Sequence, residues 1–194
     1  MTAGALFIAR QALHPSDVLE SVTTTRWLIV QVFSIVMGTL AVMSISGIYA
    51  KQAHKTGFFG FIGYLLFSAF FTIATALYFM EAFIFPTLVD IAPKYVEGLQ
   101  GLVTSQPSTV DLGTFPVAYT VTGIAYLLGG VLFGISIFRA GIFPRWAGGL
   151  LAIGAIIIIL DAAVPHPADR ALALPVGIAF MWLGWTLYKP SNNA

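Results

Sequence analysis

FFGFIGYLLFSAFFTIATALYFMEAFIFP, residues 58–86, is an apolar run broken by a single charge, Glu81. A hydrocarbon core of about 30 Å is crossed by roughly 20 helical residues rising about 1.5 Å each, so this run reads as a membrane-spanning helix. The rest of the chain is read outward from that helix and its one carboxylate.

Of 194 residues, 58% are hydrophobic and only 9% charged, against about 25% charged in a soluble domain. The mean hydropathy of +0.91 agrees, and the chain is expected to be an integral membrane protein. A net charge of +1, with no basic cluster interleaved with aromatics, gives nucleic acid nothing to bind. The absence of cysteine excludes disulfides, thiolate metal sites and a Cys nucleophile.

Residues 1–26 read as an N-terminal interfacial segment. AGALFIARQAL (3–13) is apolar but too short to span, and Arg10 follows the apolar stretch where a cleavable signal would carry its charge ahead of it. Residues 27–189 read as one domain of five spans, at 27–49, 58–85, 116–138, 146–164 and 171–188. The connector AKQAHKTG (50–57) forces an antiparallel hairpin, and Gly57, Gly60 and Gly63 are expected to press the second helix on the first. Gly130 and Gly134 make a GxxxG face on the third span. In the long loop 87–114, Tyr95, Val96, Leu99, Leu102 and Val103 recur at helical spacing opposite Lys94, Glu97 and Gln100. With Pro93 suited to a first turn, 92–103 is expected to lie on the membrane surface, apolar stripe down. The predicted fold is thus an all-α bundle of five transmembrane helices plus a short interfacial helix in the long outer loop.

The connectors after spans one and three, with the tail, hold Lys51, Lys55, Arg139, Arg145 and Lys189; the opposite side holds Arg10, Arg26, Lys94 and Arg170. The first set is denser per connector, which places the C-terminus in the cytoplasm. Two outward-running helices end alike, Glu81-Ala to Pro86 and Asp161-Ala to Pro165. A parallel duplication of the two hairpins is one reading of this, and coincidence is the other.

Glu81 and Asp161 both fall near the outer boundary. A carboxylate in hydrocarbon costs roughly 2.5–3.5 kcal/mol on insertion scales and so usually faces a bundle interior or cavity. Reaching headgroup water is the simpler alternative at a boundary. If the two share a pocket, Tyr78, one turn before Glu81, and His166, Asp169 and Arg170 in the outer turn are the candidate ligand-binding companions. No HxxxH or HExxH spacing supports a metal, and no pair of histidines on opposing spans supports a haem. His54, between two lysines, reads as a solvated residue. There is no GxSxG, P-loop or dinucleotide fingerprint, and GGVLFG (129–134) reads as helix packing. No catalytic residue, metal or cofactor is therefore assigned. An enzyme is the least supported reading.

GIFPRW (141–146), with Arg139 before it and a Gly-rich apolar helix after it, resembles a connector found between spans in a group of bacterial multi-pass membrane proteins of unknown function. The likeness runs loosely from span two to span five and includes EAFIFP (81–86) and WLGWTLY (182–188). It implies a bacterial cytoplasmic-membrane protein and brings no activity or catalytic residues. The leading functional expectation is a small membrane protein that binds a lipid-like or apolar ligand in an outward-facing pocket, with Glu81 and Asp161 at its mouth. The alternatives are an accessory subunit docking a membrane-protein partner or a second copy through glycine-rich faces, and a small proton- or ion-coupled transporter.

Overall fold

The computed structural model describes residues 1–104, 106–164 and 168–188, with the backbone alone at 161–163 and 169. Among the described residues the chain is all helical. In order come α1 (Thr2–Leu13), α2 (Leu19–Val22), α3 (Thr25–Phe83), α4 (Phe85–Leu88), α5 (Pro93–Thr104), α6 (Phe115–Ala140) and α7 (Arg145–Ile157). Two 3₁₀ turns, Ile158–Ala163 and Ala168–Ala173, then lead into α8 (Leu174–Tyr188). Among the described residues three helices are long and apolar enough to cross a membrane, Thr25–Phe83, Phe115–Ala140 and Arg170–Tyr188; Arg145–Leu160 is apolar but shorter.

The longest helix folds back on itself. Gly57 adopts φ 59° and ψ −163°, which splits α3 into antiparallel arms, 25–56 and 58–83. The pairing runs the full length of the hairpin. Tyr49 stacks on Tyr64 at 4.4 Å between centroids, Gly38 backs onto Thr75, and the Trp27 indole Nε1 donates to the Glu81 carbonyl at 2.9 Å. The connector expected over 50–57 is helical up to Gly57, because Ala, Lys and Gln sustain a helix and only the glycine reaches positive φ without strain.

Small residues set the remaining contacts. A Cβ on Gly134 would lie 2.6 Å from the Gly148 carbonyl oxygen and 2.7 Å from the Ala152 nitrogen, so the GxxxG face of α6 seats α7. Gly60 presses on Thr56 at the end of the first arm, as expected, and also meets Ser136 of α6; Gly63 instead meets the 132–133 segment of α6, while Gly129 meets Phe67 in return. Phe67, fully buried, joins α3, α6 and α8 through Phe71, Tyr126, Phe133 and Phe180. Most of the helix glycines thus meet neighbours within this chain, while Gly57, Gly113 and Gly123 have open space beside them.

Three expectations change in detail. The helix expected over 146–164 is α only to Ile157 and then tightens to 3₁₀, the usual form of a helix end. The boundary drawn at residue 26 is not one the packing follows. Gly4 of α1 backs onto Gly177 and Met181 of α8, Phe7 meets Phe71 edge-on, and Ala3 and Phe7 belong to the main core. Finally, α5 forms with Pro93 in its first turn, but Val96 and Leu99 turn onto Val22, Trp27, Phe85 and Leu112, so the stripe expected to face lipid is partly spent on protein.

Candidate functional site

One stripe of the second α3 arm, Phe70, Ala74, Leu77, Tyr78 and Glu81, follows the i, i+4, i+7, i+11 spacing of a single helix face. It lines a cavity of ≈ 320 Å³ closed on other sides by Phe7 and Arg10 of α1, Tyr126 of α6, Val103 of α5 and Ile158. A smaller, more polar space of ≈ 180 Å³ continues from it, sharing Arg10, Gln11 and Glu81 and adding His14, Asp17 and Arg170.

Arg10 is the residue that sequence reasoning missed. Its signal was present, a cation inside an apolar stretch, but a stretch too short to span drew no search for a partner. In the structure α1 is packed between α3 and α8, and this carries Arg10 to the cavity wall. Its Nε donates to Ser34 Oγ at 2.8 Å, Ser34 Oγ donates to the Val30 carbonyl, and the guanidinium lies over the Tyr78 ring at 4.9 Å. A cation–π contact between partly buried groups is worth about 1 kcal/mol, which offsets part of the cost of holding the charge away from water. Arg10 and Glu81 line the same space, yet neither forms an ion pair among the described residues. The Tyr126 hydroxyl is buried on the cavity wall with no hydrogen-bond partner among the described residues.

Of the predicted companions, Tyr78 is with Glu81 on the wall. Arg170 also lines the polar space, but its guanidinium is engaged. It donates from Nη1 to the carbonyls of Gln11 (3.3 Å) and His14, and from Nη2 to Pro15 (2.9 Å). These are carbonyls left unpaired at the C-terminal end of α1, where a cation is favoured. Arg170 therefore clamps α1 to the segment before α8. Asp161 belongs to the 3₁₀ turn whose Ile158 lines the cavity, but its side chain, that of Asp169, and all of His166 lie outside the described residues.

His14 is buried at 7% exposure against Trp27. Its Nδ1–H donates to the Pro15 carbonyl at 2.7 Å, which leaves Nε2 to accept from the Gln31 amide at 3.3 Å. Burial first, then the charges of Arg10, Arg170 and Arg26, push its pKa down to about 3, so the ring is neutral. The 3.8 Å approach of Asp17 is thus not an ion pair at neutral pH. Among the described residues no three His, Asp or Glu side chains gather as a metal site would need.

Chemically, the arrangement offers a largely apolar chamber whose wall carries a cation, a carboxyl and the buried Tyr126 hydroxyl. No family model, curated protein or solved structure matches this chain.

Proposed function

We propose that this is a five-pass membrane protein that holds a lipid-like ligand in the cavity between α1, α3 and α6, with the ligand's polar group between Arg10 and Glu81. The two arms of α3, α6, the 145–163 segment and the 170–188 segment are the five crossings. The fourth is short in residues but not in reach. Its α part gives about 20 Å and its 3₁₀ part, at about 2.0 Å per residue, about 12 Å more, close to a 30 Å hydrocarbon core. Lys51, Lys55, Arg139 and Arg145 gather at the Gly57 end, which we assign to the cytoplasmic side of a bacterial inner membrane, with the C-terminus there and α5 at the opposite surface.

The observation that carries the ligand reading is the pairing that is not made: opposite charges line one cavity without neutralising each other. An amphipathic molecule satisfies both groups while its chain lies against Phe7, Phe70, Leu77 and Ile158. Asp161 at the mouth of the cavity is part of the same proposal.

The test is lipid extraction and mass spectrometry of protein purified in mild detergent. Wild type is expected to retain a defined lipid that Arg10→Gln and Glu81→Gln each lose, with Arg10→Lys as a check that the fold survives. Retention of the same lipid by folded variants would overturn the reading.

A further inference from the structure

At the other end of the bundle, the turn of α3 and the last turns of α6 enclose a second cavity, of ≈ 490 Å³. Two cations from different helices line it, Lys55 beside the Gly57 turn and Arg139 in the last turn of α6. The turn keeps the space open, since a Cβ at Gly57 would meet no atom within 4 Å. Neither cation has an ion-pair partner among the described residues. None is within reach in sequence either. The eight acids are Asp17, Glu20, Glu81, Asp90, Glu97, Asp111, Asp161 and Asp169, and no acid occurs between 21 and 80 or between 112 and 160, the stretches that build this end.

Apart from Thr56, Gly57 and Ser136, the rest of the wall is apolar. Phe58 and Phe59 are 72% and 68% exposed, and Leu132 and Ile135 continue the wall along α6. Two cations and exposed apolar side chains lining one groove are the complement of an anionic amphiphile. A free phosphate or nucleotide would use the cations and leave the Phe58 and Ile135 surface without purpose.

We propose that this groove binds a membrane lipid with an anionic phosphate headgroup, the phosphate between Lys55 and Arg139 and the chains against Phe58, Leu132 and Ile135. The site is separate from the Arg10 cavity and does not depend on it. Guanidinium and ammonium both suit a phosphate, the first through forked donors and the second as a point charge.

The test is native mass spectrometry of the full chain released from nanodiscs of phosphatidylcholine mixed with phosphatidylglycerol. Phosphatidylglycerol is expected to remain bound in excess of its share. Lys55→Gln and Arg139→Gln each reduce that excess about fivefold, the effect of about one surface charge. Lys51→Gln, which alters a lysine lying over Phe143 outside the groove, leaves it unchanged. Both cavity residues are exposed, so circular dichroism of the variants is expected to match wild type. No preference for the anionic lipid, or equal retention by the Lys55 and Arg139 variants, would overturn the site. An equal loss with Lys51→Gln would show diffuse attraction in its place, and displacement of the lipid by inorganic phosphate alone would overturn the assignment to a lipid.

Discussion

Acidification is expected to destabilise this protein through one side chain. His14 is neutral in the folded state with its pKa near 3, while the exposed side chain titrates near 6.5. A base whose folded pKa is depressed favours folding above its unfolded pKa, and that stability is lost as pH falls, because only the unfolded chain then takes up the proton. The loss begins near pH 6.5 and ends near pH 3. Within that window the slope is about 1.4 kcal/mol per pH unit, so moving from pH 7 to pH 5 costs about 2 kcal/mol. For a chain of this size that corresponds to a fall in Tm of about 4–8 °C. The assay is thermal unfolding in mild detergent, followed by circular dichroism at pH 7, 6 and 5, for wild type and His14→Gln, whose amide keeps a donor and an acceptor but does not titrate. The wild-type Tm should fall more steeply than that of the variant. Asp17→Asn should leave the wild-type fall in place, since the three arginines and burial, not the carboxylate at 3.8 Å, decide the proton. Parallel pH dependences for wild type and His14→Gln would refute the reasoning.

Other expectations follow from single contacts. Gly134→Ala should destabilise by about 1–3 kcal/mol in detergent unfolding, because the atoms its Cβ meets are backbone and cannot turn aside, whereas Gly123→Ala, with nothing within 4 Å, should be neutral. Gly57→Ala should cost about 1–3 kcal/mol from backbone strain alone, since the space around it is open but φ 59° with ψ −163° suits only glycine, and Gly57→Asn should cost as much. Arg170→Gln should release α1, seen as faster amide exchange over residues 2–15 and a loss of about 1.5–3 kcal/mol, the worth of hydrogen bonds from a charged donor.

Length and hydropathy were enough to give the helical class, the hairpin at residues 50–57, the third span, α5 and the GxxxG seat of α6, because each follows from local spacing and from what lipid excludes. Local spacing also brought Tyr78 and Glu81 to one face, since three residues make nearly one helical turn. What it could not give was anything set by which helix lies beside which. Gly63, expected against the first arm, meets α6, because a glycine carries no sign of its partner. Arg10, His14 and Arg170 lie far apart in sequence and converge only because α1 enters the bundle antiparallel to α8, through Gly4, Gly177 and Gly184. A twelve-residue helix is too short to be recognised by length as part of a membrane bundle. Its place was decided by close packing, and with it the charge on the cavity wall.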